Sequence, residues 1–237
     1  MTTSSTREAL WARAAACYLR AGPAWSDDAS RCLAEAGDHT AAARIAERRG
    51  HHARAAELFV VAAAWTDAAR CWLACDRAAD AAACYERAGD LLEAGWTLAH
   101  RAAQPLAGRA MAERWSGDRL ERPACEVLIA RCEAGVGQRA VAAQKLTRAM
   151  HELRRLPVSP VRTRALDWAF AVAEQLRRPD LSALLHAAAA SSAEPGAIRR
   201  WEAWALDVLH DASGIPAAPP SPSVPSGDPE VRAGRER

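Results

Sequence analysis

The sequence predicts an all-α fold in which short helices stack into an α-solenoid, and three observations support this. Alanine dominates the apolar residues, while only 5% of the chain is aromatic, and alanine is the strongest helix former. Runs of β-branched residues, which favour strands, are almost absent. The first half of the chain also aligns with itself every thirteen residues, and a short fixed period is the sequence signature of a repeat architecture.

The thirteen-residue copies follow one another with only Pro23 and Ala24 inserted between them. They are 10–22, 25–37, 38–50, 51–63, 64–76, 77–89, 90–102 and, more weakly, 103–115. Positions 2, 5, 6, 9 and 12 of a copy share one helical face, which is apolar. Each copy is therefore predicted to form one helix of about ten residues and a tight turn. Such a short helix is unstable alone and must stack on its neighbours.

Three positions of the copy carry the most consistent residues. Position 5 is alanine in every copy: Ala14, Ala29, Ala42, Ala55, Ala68, Ala81, Ala94 and Ala107. Position 9 is usually large: Tyr18, Leu33, Phe59, Trp72, Tyr85, Leu98 and Met111, with Ala46 as the exception. Position 13 is glycine in four copies: Gly22, Gly37, Gly50 and Gly89. Glycine at this place predicts that the preceding helix ends in a left-handed cap.

The cysteines follow the same period. Position 8 holds four of them: Cys17, Cys32, Cys71 and Cys84. In other copies this position is Ile45 or Leu58, which indicates a packing position, where free cysteine behaves as a small hydrophobe. Cys75 lies at position 12, which is Ala36, Ala62 or Ala88 in other copies. A zinc site usually needs paired short spacings from two elements, so packing is favoured, with a metal or redox site as the alternative.

The histidines and the overall composition do not indicate a catalytic site or a membrane protein. His39 and His52 both fall at position 2, where Trp11 and Trp65 also occur, so a repeat position explains them better than a catalytic pair. Seven cysteines spread over helical segments favour reduced thiols and a cytoplasmic location. No apolar run approaches the roughly 20 residues that span a bilayer, and the first residues make a poor signal peptide. We therefore expect no membrane association.

The helices alternate between two residue patterns. Odd copies place two small residues between two large ones, as in Trp65, Ala68, Ala69 and Trp72. The same order occurs in Trp11, Ala14, Ala15, Tyr18 and Gly22, and in Leu91, Ala94, Gly95 and Leu98. Even copies place a large residue between alanines: Ala29, Leu33 and Ala36; Ala55, Phe59 and Ala62; Ala81, Tyr85 and Ala88.

These patterns resemble the tetratricopeptide repeat (TPR), in which small residues let paired helices approach and a large residue fills the gap beside them. The resemblance covers about 10–115 and implies a right-handed α-solenoid of antiparallel helical hairpins. It departs in length, because a TPR unit has about 34 residues and a helix pair takes 26 here. The shorter period is more similar to the helical-hairpin arrays of trafficking and scaffold proteins.

The second half of the chain loses the short period. The segment 127–157 is similar to a longer TPR hairpin, and helices are expected over 161–177, from Pro179 with Asp180 as N-cap to about residue 192, and from Pro195. The last helix is expected to place Ile198, Trp201, Ala205, Val208 and Leu209 on one face. The chain from Gly214 is rich in Pro, Ser and Gly and is predicted to be disordered. The predicted domains are a short-period solenoid (6–118), longer TPR-like hairpins (119–213) and a disordered tail (214–237).

Sequence motifs of catalysis are not found. The segment 133–138, EAGVGQ, lacks the lysine of a phosphate-binding loop, and neither G-x-S-x-G nor H-E-x-x-H occurs. We therefore expect a non-catalytic scaffold or adaptor for a peptide or partner domain, with no cofactor and no metal. The alternatives are a helical-repeat RNA-binding protein and a regulatory subunit of an NTPase or another enzyme complex. The balance of 31 basic and 29 acidic side chains argues against nucleic acid.

The TPR resemblance also implies where a partner would bind. In TPR proteins the ligand-facing residues lie on the first helix of each pair, away from the packing face. Carried over to this chain, these residues are Thr40, Arg44, Glu47, Arg48, Thr66, Arg70, Leu73, Trp96 and His100. Arg44, Arg48 and Arg70 would form a basic strip beside Trp96 that suits an acidic peptide. The alternative is a solvated arginine-rich face without a partner.

Overall fold

The computed structural model describes residues 3–191 and 196–210, and over these residues the chain folds into α-helices without a strand. The helices are α1 (Thr3–Ala21), α2 (Ser26–Glu35), α3 (His39–Arg48), α4 (His52–Val61), α5 (Trp65–Ala74), α6 (Ala78–Ala88), α7 (Leu91–Trp96), α8 (Pro105–Arg114), α9 (Arg122–Gly135), α10 (Arg139–Leu153), α11 (Pro160–Leu176), α12 (Pro179–Ser191) and α13 (Ala197–Val208). A 3₁₀ turn, Pro23–Trp25, precedes α2, and a π-helical segment, Thr97–Arg101, extends α7. The predicted tail from Gly214 lies outside the described residues.

The thirteen-residue period is confirmed by the helix boundaries. From α2 to α8 each helix lies within one copy, and consecutive helices start thirteen residues apart at His39, His52, Trp65, Ala78 and Leu91. All four glycines at position 13 have positive φ angles, between 79° and 113°. Ala63 and Asp76, which replace glycine at this position, also adopt the left-handed conformation. The turn geometry is therefore a property of the repeat, which glycine makes less strained.

The period lengthens by one residue after α7. The left-handed residue there is Ala103, not Ala102, because the π-helical segment takes up one extra residue before the turn. A π-bulge of this kind adds a residue to a helix without breaking it. The sequence period alone did not predict this extra residue.

Small residues at position 5 form the contacts between successive helices. Each helix packs against the next along the chain. The position 5 alanines of the inner copies are fully buried: Ala29, Ala42, Ala55, Ala68, Ala81 and Ala94. At the large position 9, Phe59 is fully buried and Trp72 is 6% exposed. The other large residues of position 9, such as Leu33 and Tyr85, are half-buried. Position 5 is therefore confirmed as a packing position, and position 9 in part.

The cysteines at position 8 are packing residues in the interior of the array. Cys32, Cys71 and Cys84 are buried, and burial raises the pKa of the Cys71 thiol to about 11. Cys75, at position 12, is half-buried. Cys17 is exposed, which corrects its assignment as a packing residue: α1 is the first described helix and has a helix packed on one side only.

The buried hydrophobic residues form two clusters. One lies within 43–84 and includes Phe59 and Trp72. The other runs from Leu92 to Ala197 and contains the cores of α9, α10 and α11. Helices α7 and α8 therefore share their core with the longer helices that follow. The predicted domain boundary at residue 118 stays a prediction, but the core contacts change near residue 90.

The later helices match the expected segments with two corrections. Asp180 is not the N-cap of α12, because the helix begins at Pro179 and the Asp180 carboxylate instead pairs with Arg178 at 2.6 Å. On α13, Trp201 and Ala205 are buried, but Ile198 is 60% exposed and Leu209 45% exposed. The expected five-residue apolar face is thus only partly covered by α12, the described helix against which α13 packs. The expected start at Pro195 lies outside the described residues.

Candidate partner-binding surface

The side chains predicted to bind a partner on α3 lie along one edge of that helix. Thr40, Arg44 and Arg48 are spaced four residues apart and therefore share a face. Arg44 and Arg48 are exposed, and Thr40 is half-buried. Within the part of the chain that the structure describes, neither arginine forms an ion pair. Two adjacent guanidinium groups are thus available to solvent.

Arg70 on α5 is engaged within the protein. Its guanidinium contacts both carboxylate oxygens of Glu47 on α3 and donates to Asp67 on its own helix at 2.8 Å. The hydrogen bonds to Asp67 and Glu47 raise the pKa of Arg70 above its ordinary value. This contact links the side chains of α3 and α5, which belong to different copies of the repeat. It also means that Arg70 adds no uncompensated positive charge to the expected basic strip.

The remaining residues expected on α5 are divided between surface and interior. Thr66 is exposed beside this ion-pair network, and Leu73 is half-buried against the first core cluster. Neither carries charge. The open, charged part of the predicted surface therefore reduces to Arg44 and Arg48 on α3.

Trp96 is buried, which corrects the expectation that its side chain lies on an exposed face. Its side chain is 8% exposed, and its indole stacks on that of Trp168 with ring centroids 4.6 Å apart and an interplanar angle of 5°. The other residue in the stack is His100, whose ring centroid lies 4.8 Å from that of Trp96. Aromatic pairs at this separation add to the free energy gained by burial. The expected groove is filled by these three rings where α7 approaches α11.

His100, at the outer end of the stack, is exposed as expected but has partners within the protein. Arg131 on α9 donates from Nε to His100 Nδ1 at 3.4 Å and from its terminal nitrogen to Gln175 on α11 at 2.5 Å. Partial burial and the nearby Arg131 and Arg101 lower the pKa of His100. Its role is to join α7 to α9, rather than to present a free imidazole.

An ion-pair cluster lies at the other end of the stack, around Arg164 on α11. Its guanidinium lies over the Trp168 ring, 5.4 Å from the centroid. It pairs with Glu93 at 3.1 Å, Glu121 at 3.2 Å and Asp90 at 3.7 Å. Burial raises the pKa of the Glu93 carboxyl, and Arg164 opposes that rise. Three carboxylates therefore surround one cation.

Sequence reasoning missed Arg164 and Trp168 because their partners are distant in the chain. Arg164 lies beyond the short-period region, where no repeat position assigns it to a surface. The same is true of Arg162, which is fully buried and donates from Nε to the Leu153 carbonyl at 3.0 Å, at the end of α10. The only signal was an arginine pair, two residues apart, near the start of a predicted helix.

The described surface includes two open clefts. One, of about 640 Å³, is lined by residues 158–168 where α11 begins. The other, of about 650 Å³, lies beside the start of α4 and includes Asp27, His51 and Cys75. The described residues contain no group of three or more His, Cys, Asp or Glu side chains arranged to hold a metal ion. Nor does any helix among them have the length and apolarity needed to cross a membrane.

Comparison with known proteins yields no relative: no protein-family model, no curated protein and no solved structure matches this chain. The resemblance to the TPR therefore rests on its motifs and on the helix boundaries that they predict.

Proposed function

We propose that the protein is a non-catalytic interaction scaffold, built as a right-handed TPR-like solenoid, that binds an acidic peptide or partner domain along α3. The observation that carries this proposal is the pair Arg44 and Arg48. They are exposed, one helical turn apart, and without an ion pair among the described residues. Exposed arginines that are fully paired within the protein would leave no charge for a partner.

The repeat supports a scaffold because it holds this face rigid. The opposite side of α3 is buried through Ala42, Ala43 and Ala46, each at most 2% exposed. Asp38 caps the helix by accepting a hydrogen bond from the Ala41 amide at 3.0 Å. A rigid helix loses little conformational entropy on binding, so most of the interaction free energy appears as affinity.

The side chains exposed on α3 favour a ligand that carries carboxylates. Arginine offers planar, paired N–H donors that match a carboxylate in two hydrogen bonds. Thr40, on the same edge, adds a hydroxyl, while Glu47 is occupied by Arg70. An extended segment that carries glutamate or aspartate residues at alternate positions would place its carboxylates along this edge.

A binding assay tests the proposal. The probe is a short fluorescein-labelled peptide of alternating glutamate and alanine, titrated with the full chain at about 0.15 M salt, where long-range surface attraction is screened. We expect saturable binding that weakens at least about tenfold in the Arg44→Ala/Arg48→Ala variant, because a tenfold change corresponds to only about 1.4 kcal/mol.

A matched variant controls for loss of charge alone. Arg13 and Arg119 are also exposed and also lack an ion pair among the described residues, but they lie away from α3 and α5. The Arg13→Ala/Arg119→Ala variant should keep the affinity of the unmodified chain. Equal weakening by both double variants, or none by the first, would refute the assignment of this face.

A further inference from the structure

Arg131 on α9 is a half-buried cation that no carboxylate of the described residues neutralises. Its Nε atom donates to Nδ1 of His100 at 3.4 Å, and one terminal nitrogen donates to Oε1 of Gln175 at 2.5 Å. Neither partner carries a negative charge. The second terminal nitrogen has no hydrogen-bond partner among the described residues. Holding a guanidinium away from water in this way is costly unless an anion completes its surroundings.

The electrostatics around Arg131 show the same lack of negative charge. Burial lowers the pKa of Arg131, and the Cys132 thiol is the group that opposes this effect. Burial, Arg131 and Arg101 all lower the pKa of His100. By contrast, two carboxylates raise the pKa of Arg70 on α5. Within the described residues, Arg131 therefore lacks the acidic partners that Arg70 has.

The charge balance of the neighbouring segments is positive. The contacts of Arg131 and Arg139 bring together the segments 97–109, 131–139 and 174–180. Two of the three carboxylates in these segments are already paired, Glu133 with Arg109 at 2.7 Å and Asp180 with Arg178 at 2.6 Å. The arginines of these segments that form no ion pair among the described residues are Arg101, Arg131, Arg139 and Arg177. Glu174 is the one carboxylate of these segments that remains unpaired, so the positive charges exceed the negative ones by three.

The helix ends at this place leave that balance unchanged. Helix α8 begins at Pro105 and α10 at Arg139, whereas α9 ends at Gly135 and α11 at Leu176. Positive and negative ends of the helix dipoles therefore meet here and largely cancel. Arg139 donates to the Leu176 carbonyl, which places the start of α10 against the end of α11. The excess positive charge thus belongs to the arginine side chains.

We propose that this surface, here named the Arg131 site, binds a phosphate group. Arg131 would donate to it through the free terminal nitrogen, and Arg101 would supply a second positive charge, because both arginines lie near His100. A guanidinium matches phosphate oxygens in paired hydrogen bonds. Phosphate is favoured over a single carboxylate because it carries close to two negative charges at neutral pH, and the excess here is larger than one. The ligand is inorganic phosphate or a small phosphate monoester, which present the same chemistry.

This inference goes beyond the proposed function, because the Arg131 site is separate from α3 and holds a compact ion. Arg44 and Arg48 form an open edge for an extended segment, whereas His100 and Gln175 fix Arg131 at one point. A ligand that neutralises Arg131 would also stabilise the junction of α9 and α11. We therefore expect phosphate to raise the melting temperature of the full chain.

Isothermal titration calorimetry of the full chain tests the proposal at about 0.1 M sodium chloride. The probes are inorganic phosphate and glycerol phosphate, with glycerol as the blank. We expect one ion bound per chain, and at least about tenfold weaker binding by Arg131→Gln and by Arg101→Ala, because each removes a charge-assisted contact. The matched control is Arg155→Ala, since Arg155 is exposed after the far end of α10 and forms no ion pair among the described residues.

The outcomes separate the two sources of phosphate. Tighter binding of glycerol phosphate would identify a monoester as the ligand, and equal or tighter binding of inorganic phosphate would identify the free ion. Circular dichroism shows whether each variant is folded, and Arg101→Ala serves if Arg131→Gln is not. Three results would each overturn the proposal: no saturation below about 10 mM, unchanged affinity in the folded variants, or equal weakening by Arg155→Ala.

Chemical modification locates the ion in the unmodified chain. Phenylglyoxal reacts with guanidinium groups, and mass spectrometry after proteolysis reports the extent of reaction at each arginine. Phosphate should slow the reaction of Arg101 and Arg131 but not that of Arg44 or Arg48, and the opposite pattern would place the ion on α3 and refute the site. The Arg44→Ala/Arg48→Ala variant should keep its affinity for phosphate, so failure of the Arg131 site is distinguishable from failure of the α3 face.

Discussion

At the scale of single residues, His186 on α12 is a buried titratable group. It is 4% exposed and lies among three aromatic rings from α11 and α13, with centroid distances of 4.5 Å to Phe170, 5.2 Å to Trp204 and 5.7 Å to Trp201. Its Nδ1 atom has no hydrogen-bond partner. Burial, with a smaller effect from Arg200, lowers the pKa of His186 from 6.5 to about 4.

This pKa shift predicts that acid weakens the packing of α13. The folded pKa lies below the unfolded pKa, so the neutral histidine contributes its full stability above pH 6.5 and loses it as the pH falls towards 4. Between pH 7 and pH 4.5, the His186→Phe variant should therefore lose about 2–3 kcal/mol less free energy of unfolding than the unmodified chain does. Denaturant unfolding at both pH values measures this.

The control for that prediction is His151→Phe, since His151 is exposed on α10. It should retain the pH dependence of the unmodified chain. If the His186→Phe variant shows the same loss of stability in acid as the unmodified chain, the buried ring is not the titrating group and the prediction fails.

Residue burial could be predicted where the repeat supplies several examples of one position. Cys71 shares its position with Ile45, and both are buried, so the comparison among copies was informative. For Trp96, the comparison among copies gave the wrong prediction. Position 7 is Arg44 and Arg70 in other odd copies, which indicated a surface, and the ring that covers Trp96 belongs to Trp168, outside the repeat.

At the scale of elements, α7 and α8 approach each other closely at two glycines. Position 6 is alanine in most copies but glycine at Gly95 and Gly108. A Cβ atom added at Gly108 would lie 2.7 Å from the Gly95 carbonyl oxygen and 2.9 Å from the Ala99 Cβ atom. The backbones therefore approach more closely here than alanine permits, beside the π-helical segment.

We predict that Gly108→Ala destabilises the protein, although alanine favours helices. The clash is with backbone, which cannot move away as a flexible side chain can, so overpacking should cost about 1–3 kcal/mol and exceed the gain in helix propensity of about 1 kcal/mol. Chemical denaturation measures the net effect. Ala110→Ser, at an exposed position of the same helix, should change stability little, and a Gly108→Ala chain more stable than the original would show that α7 and α8 can separate.

At the scale of the whole molecule, the sequence predicted the helices of the first half within a few residues, because helix, turn and packing face all repeat with one period. The sequence predicted less about how the helices of the first half of the chain pack against those of the second half. The contact between α7 and α11 is made through Trp168, which lies outside the period, and the extra residue of the π-helical segment does not belong to the period either. The candidate binding surfaces were predicted least well, because ion pairs such as Glu47 with Arg70 join different copies and cannot be read from one copy alone.

The division of the core into two clusters predicts that the chain does not unfold as one unit. In a repeat array each element contacts mainly its neighbours, so damage stays local unless the interfaces are strong. Phe59 is fully buried in the first cluster and Leu146 in the second. Phe59→Ala should cost about 3–5 kcal/mol and remove hydrogen-exchange protection from α3 to α6, while α9 to α11 stay protected. Leu146→Ala should produce the reverse pattern. Loss of protection across all helices in both variants would instead mean that the contact between α6 and α7 couples the clusters into a single cooperative unit.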